Sequence, residues 1–163
     1  MPHEALLYMG TLGKALGAEC GFVVGPSALI EFLRNRARTF VYATALAVPV
    51  AAAAVAGLRV LTQDARPREA LEARSRQLFE GLRRLAACRV SHPSHIVPIA
   101  LGSVQRASQV SERLWERGQW CPAIRPPTVP RGQARIRLSV TALHSPEQVE
   151  QLIAALHEVL IST

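Results

Sequence analysis

ARIRLSVTALHSPEQVEQLIAALHEVL, residues 134–160, changes its hydrophobic period partway along. In its opening portion Ile136, Leu138 and Val140 alternate with Arg135, Arg137 and Ser139, the pattern of a strand with one buried face and two guanidinium groups on the other. The alternation stops at Ser145, Pro146 and Gln148, which supply an N-cap, a first-turn proline and a capping-box partner. Leu152, Ile153, Leu156 and Leu160 then recur at helical spacing. A strand followed by an amphipathic helix calls for helices packed on a sheet.

The same two periods alternate toward the N-terminus. Val104, Ala107, Val110 and Leu114 mark a helix that Gly118 ends, and Ile96–Leu101 is a short apolar strand. Leu71, Leu78, Leu82 and Leu85 share one face of a helix beginning near Pro67. The polar, proline-containing stretch Thr62–Pro67 is the best boundary, dividing the chain into residues 1–63 and 64–163. Before it, a helix starting near Pro49 takes in the alanine run 51–54, and Ser27 is expected to cap a helix carrying Leu29, Ile30 and Leu33. Leu6–Met9 and Gly21–Val24 form strands on either side of a glycine-rich segment around Lys14. The whole is α/β at the front with a small α+β layer behind.

A chain of 163 residues holds one medium domain, or a small domain with part of a larger one. The formal charge of +7 would permit a nucleic-acid or anionic-lipid partner. The arginines, however, are spread over helix faces. Their one dense run, Arg34 to Arg38, has no stacking platform beyond Phe40 and Tyr42, so no nucleic acid is expected. Phe40 to Leu58 carries no charge, yet it is largely alanine and is interrupted by Pro49, which favours a buried helix over a membrane span. The N-terminus has no signal-peptide pattern. Cys20, Cys88 and Cys121 form no CxxC pair, which points to a reducing, cytoplasmic compartment. His92 and His95 flank Pro93 without a matching Cys/His pair, so no metal is expected.

Eighteen of the nineteen basic residues are arginine, leaving Lys14 as the only lysine, and Asp64 is the only aspartate. Lys14 stands in Gly10-Thr11-Leu12-Gly13-Lys14-Ala15-Leu16-Gly17. A Walker phosphate loop needs glycine where Tyr8 stands and Ser or Thr where Ala15 stands, so that reading fails. An amine that forms an imine must first shed its proton, which apolar surroundings favour, and close glycines would admit a flat cofactor. An ordinary exposed lysine in a glycine-rich turn fits the spacing equally well. Similarly, Arg125, Arg135 and Arg137 could grip a carboxylate bidentately or merely solvate a strand and its loop.

The stretches GTLGKALG (10–17), FLRNRARTFVYATAL (32–46) and AIRPPTVPRGQARIRLSVTALH (123–144) together resemble the α-oxoamine synthases, pyridoxal-phosphate enzymes of the aminotransferase class I/II superfamily. IRPPTVP points within that family to the branch that makes 8-amino-7-oxononanoate. The resemblance implies the C-terminal portion of a fold type I transferase, with the end of the large domain in 1–63 and a small domain in 64–163. It implies pyridoxal 5'-phosphate held by Lys14, with Thr11 touching its phosphate and Thr44 touching that of a partner subunit in a homodimer. Arg137 corresponds to the arginine that binds the amino-acid carboxylate, and Arg125 and Thr128 to positions lining the substrate and acyl side. The implied reaction joins L-alanine to a pimeloyl thioester with loss of carbon dioxide, in biotin synthesis. The alternatives are a glycine C-acetyltransferase-like enzyme, or a non-catalytic half that associates with a separate N-terminal polypeptide.

The family usually has two glycines where this chain has Glu19 and Cys20, a serine at Ala43 and two prolines at Ala47 and Val48. Its ring-pairing aspartate and ring-stacking histidine lie well upstream of the lysine, where this chain has thirteen residues, so a partial chain is expected.

Overall fold

The structure, a computed structural model, describes residues 6–85 and 91–161, which leaves Cys88 outside the described residues. The chain divides into two compact units, Met1–Ala65 and Arg66–Thr163.

The first unit opens with strands β1 (Tyr8–Thr11) and β2 (Gly21–Val24), paired antiparallel with Gly10 opposite Phe22 and Thr11 opposite Gly21. β1 therefore runs later than the expected Leu6–Met9 and takes in Gly10. Pairing across the hairpin outweighs glycine's weak strand preference. A Cβ on Gly10 would stand 2.5 Å from the Phe22 ring, so the glycine is what lets the ring lie over the strand. Helices α1 (Ser27–Arg36), α2 (Arg38–Val41) and α3 (Val48–Gln63) follow. Ser27 is the first helical residue and not the cap. Pro26 holds the cap position with no side-chain bond, and its carbonyl accepts from Leu29 N at 3.0 Å and Ile30 N at 3.1 Å. α3 has its proline in the first turn, as expected of Pro49.

Among the described residues of this unit only Ala18 is buried. Phe32, Phe40, Tyr42, Val48 and Val55 all leave apolar surface open.

In the second unit, α4 (Arg66–Arg83), β3 (Ile96–Gly102), α5 (Val104–Trp115), β4 (Ala123–Ile124), β5 (Ala134–Ser139) and α6 (Pro146–Ile161) succeed one another. The strands form an antiparallel sheet in the order β3-β5-β4. Val97, Ile99, Ile136 and Leu138 of the sheet share one buried cluster with Leu78 and Leu82 of α4, Val110 and Leu114 of α5, and Leu156 and Val159 of α6. Burying each such side chain stabilises by about 1.5–3 kcal/mol relative to leaving it in water. The mixed α/β class read from the alternating periods is thus observed.

Local signals set the helix ends. At α6 the capping box closes in both directions, Ser145 N donating to Gln148 Oε1 at 2.9 Å and Gln148 N to Ser145 Oγ at 3.3 Å. Ser103, which the periodicity did not single out, caps α5 by accepting from Arg106 N at 3.1 Å. Beyond Trp115 the chain turns off α5 at Gly118, which donates through its N to Trp115 O and whose φ of 74° brings Gln119 N to Leu114 O. Gln77 ties α4 to α6 by donating to Pro146 O at 3.0 Å and Glu150 Oε1 at 2.9 Å. Among the described residues no helix is long and apolar enough to cross a membrane.

Candidate functional site

Lys14 sits at the head of the loop joining β1 to β2. Leu12 N donates to Cys20 O at 2.8 Å and Ala18 N to Leu12 O at 3.0 Å, and these two bonds draw the ends of the loop together. Inside them Gly17 N donates to Lys14 O at 3.1 Å, closing a four-residue turn whose last residue has φ 60°. The Thr11 hydroxyl braces the base of the loop, accepting from Gly13 N at 3.2 Å and donating to Cys20 O at 3.4 Å. Thr11 and Lys14 thus belong to one small loop. Lys14 is exposed together with Gly13 and Ala15, so the apolar surroundings expected for a reactive amine are not built by its neighbours in sequence. Thr44 lies exposed in the segment between α2 and α3, within the same unit.

The remaining three candidates lie in the second unit. Arg125 and Thr128 share a turn around the cis Pro126–Pro127 bond, closed by Thr128 N donating to Arg125 O at 3.0 Å, and both side chains are exposed. β5 turns Arg135 and Arg137 to the face opposite the core, as the alternation required. Their cross-strand neighbours on β3 are Ala100 and Pro98, which are too short to cover a guanidinium. The two arginines nonetheless differ. Arg135 is occupied locally, its Nε donating to Gln133 O at 3.0 Å and its NH2 to Gln133 Oε1 at 3.1 Å. Among the described residues the Arg137 guanidinium has no hydrogen-bond or ion-pair partner.

Arg137 opens into a cleft of about 440 Å³ at the end of the sheet. His144, Gln148, Ser139 and Trp120 also line this cleft, whereas Arg125 and Thr128 stand outside it. His144 escaped the sequence reading because nothing local marks a histidine three residues beyond a threonine as a ligand. Its Nδ1 accepts from Thr141 N at 2.9 Å. Cys121 forms part of the cleft wall, and burial pushes its thiol up to about 11. Among the described residues no cluster of His, Cys, Asp or Glu is arranged to hold a metal ion.

The chain is 46% identical over 158 residues to an 8-amino-7-oxononanoate synthase of Methylobacillus flagellatus, covering 93% of this chain and 38% of the relative. A serine palmitoyltransferase solved with pyridoxal phosphate matches 96% of this chain and 40% of its own at a TM-score of 0.88 and 26% identity. The 8-amino-7-oxononanoate synthase of Francisella tularensis matches 96% of this chain and 46% of its own at a TM-score of 0.84 and 26% identity. The chain therefore spans about two fifths of the length of the curated relatives it matches. The lysine-bearing hairpin and the arginine-bearing sheet both fall within residues 1–156, where the sequence pattern of one family is matched throughout, and the chain belongs to the aminotransferase class I and II family.

Proposed function

We propose that this chain carries the lysine- and arginine-bearing part of an α-oxoamine synthase that condenses L-alanine with a pimeloyl thioester to 8-amino-7-oxononanoate, in biotin synthesis. The observation that carries the reading is the position of Lys14. The only lysine of the chain heads a glycine-rich turn braced by Thr11, within a sequence closely similar to such synthases.

The residues fit pyridoxal 5'-phosphate. Lys14 supplies an accessible primary amine, Thr11 a hydroxyl at the base of the same loop, and a Cβ on Gly17 would meet nothing within 4 Å, which leaves open space beside the turn. When bound, the cofactor supplies an electron sink for the carbanion formed at the amino acid's α-carbon. Lys14 Nζ anchors the cofactor and carries the α-proton between steps. Thr11 would hold the phosphate by turning to it the hydroxyl proton that otherwise makes the long 3.4 Å bond to Cys20 O, and Thr44 would reach the phosphate on the partner subunit of a homodimer. Arg137 grips the amino-acid carboxylate with a guanidinium that nothing else in the described residues occupies. Arg125 and Thr128 line the acyl side from their proline-stiffened turn. The cysteine usage suits the cytoplasm.

Incubation with pyridoxal phosphate, borohydride reduction and peptide mass mapping test the assignment. The expected result is one reduced adduct on the Lys14 peptide, and its absence at saturating cofactor overturns the reading.

A second reading is favoured by the open apolar surface of the first unit, where Ala18 alone among the described residues is buried. On that reading the chain is one half of a split enzyme, and a separate polypeptide carrying the N-terminal part of the fold covers this surface. Co-expression with such a polypeptide should give a stable complex with synthase activity. Failure to co-purify rejects it.

A further inference from the structure

We propose that His144 and Gln148 are ligand-binding residues that present hydrogen-bond donors into the cleft holding the Arg137 guanidinium, making it a site for a carboxylate-bearing small molecule. The proposal deepens the role given above to Arg137 and rests on it.

The first observation is a fixed tautomer. His144 Nδ1 accepts from the Thr141 backbone N–H at 2.9 Å and lies 3.2 Å from Thr141 Oγ1. A ring nitrogen that accepts from an amide carries no proton, so the proton of the neutral imidazole resides on Nε2. The turn around it is closed, with His144 N donating to Thr141 O at 3.3 Å and Leu143 N to Thr141 Oγ1 at 3.3 Å. His144 is thus held as a donor at its outer end.

Gln148 is oriented in a similar way. Its Oε1 is committed to Ser145 N at 2.9 Å by the capping box, which leaves the amide NH2 as the open end of the side chain. Both residues line the cleft with Arg137, Ser139 and Gln151, and no aspartate or glutamate among the described residues lines it. One cation, two oriented donors and no competing carboxylate favour an anion. The α6 N-terminus at Pro146 adds the positive end of a sixteen-residue helix. The groove between α4 and α6 makes the contrast, since Glu80, Glu150 and Glu158 line it against the single arginine Arg84 and the charge there is less favourable to the same ligand.

The test uses the full chain, uniformly labelled with 15N, titrated with L-alanine and separately with acetate. Before ligand is added, the long-range imidazole spectrum of His144 should show the Nε2-protonated form. Titration should shift Arg137 Nε and His144 Nε2 together, and should change the fluorescence of Trp120, which lines the same cleft.

Two substitutions keep the acceptor that the local structure needs and take away the outward donor, His144→Asn without a change of charge and Gln148→Glu with a negative charge added. His144→Asn retains an oxygen to accept from Thr141 N, and Gln148→Glu retains the capping-box acceptor while replacing NH2 with a charged oxygen. Each should weaken carboxylate binding about tenfold, as expected for one hydrogen bond to a charged group, while the Thr141 and Ser145 amide shifts stay in place. If both variants bind like the parent while Arg137 Nε still shifts, the proposal is overturned and the role of Arg137 stands. If neither probe moves Arg137 or His144, both are overturned, whereas the cofactor adduct on Lys14 is judged by its own experiment.

Discussion

Gly57 of α3 lies against the backbone of Leu16, two residues beyond Lys14, and a Cβ built on it would stand 2.7 Å from the Leu16 carbonyl oxygen. The obstacle is main chain and cannot swing aside as a side chain would. α3 therefore supports the lysine turn through a contact that only glycine permits.

Gly57→Ala should separate helix stability from cofactor capture. Alanine favours the helix by about 1 kcal/mol. The Lys14 turn must shift to admit the methyl group, and small misplacements of a reacting group cost orders of magnitude. Circular dichroism should show helix content kept or raised, while the reduced pyridoxal adduct on Lys14 falls at least about tenfold at subsaturating cofactor. An undiminished adduct would show that the turn does not depend on α3.

Cys20 closes the same loop with a φ of 77°, a left-handed conformation that costs a side-chain-bearing residue about 1–2 kcal/mol. The family pattern of glycine here has its physical reason in that angle. Cys20→Gly should stabilise the hairpin by up to about 1 kcal/mol, the gain being trimmed by glycine's greater freedom when unfolded. Slower amide exchange at Leu12 and Ala18, whose bonds close the loop, is the expected readout. Faster exchange at these amides would contradict it.

Gly81 of α4 meets Ile153 of α6, whose Cδ1 would lie 2.3 Å from an added Cβ. Here the obstacle is the flexible end of a side chain, so Gly81→Ala should cost a moderate amount, about 1–3 kcal/mol by overpacking. Pairing it with Ile153→Val removes the nearest methyl but leaves Cγ1 at 2.8 Å, so it should recover only part of that loss in urea denaturation. Additive losses in the double variant would mean that the helices do not touch there.

Burial holds the Cys121 thiol at about 11, against 9.0 for a free one. Because the folded value is raised, the unfolded chain loses this proton first as pH climbs. The contribution of this thiol to stability is therefore fully present below pH 9.0 and is lost as pH rises from there through about 11. Cys121→Ser, tested against the parent by denaturation at pH 8 and pH 10, should flatten that decline. At pH 8 iodoacetamide should modify exposed Cys20 well before Cys121.

How far the sequence disclosed this structure depended on how local each determinant is. β5 and α6 were legible because alternation, a proline and a Ser/Gln capping box all act within a few residues. The start of β1 was not, because Gly10 and Thr11 join the strand through partners on β2. Ser27 carried a cap signal that Pro26 overrode, whereas Ser103 carried one that went unread. At the candidate site Lys14 stood out by its uniqueness. Gly57 and His144 did not, since a close approach and a tautomer are each set by a contact that composition does not contain, and Cys20 was marked only by the family's glycine at its position, not by the backbone angle that explains it.

The two arginines of β5 give the sharpest test of the site. In sequence Arg135 and Arg137 are equivalent, two guanidinium groups on one strand face. In the structure Gln133 occupies Arg135 through two hydrogen bonds, while Arg137 stands free in the cleft among the described residues. Arg137→Ala should therefore weaken carboxylate binding, measured as L-alanine affinity, by at least about tenfold, the scale of a charge-assisted pair. Arg137→Lys should recover only part of it, because an ammonium keeps the charge and loses the two-pronged geometry. Arg135→Ala should leave the affinity within about twofold, since exposed polar contacts of this kind contribute little. Equal losses at both positions would mean that strand charge, and not the free guanidinium, recruits the ligand. Raising the salt concentration separates the cases, since a diffuse field is screened within about 10 Å at 0.1 M and a bidentate contact is not.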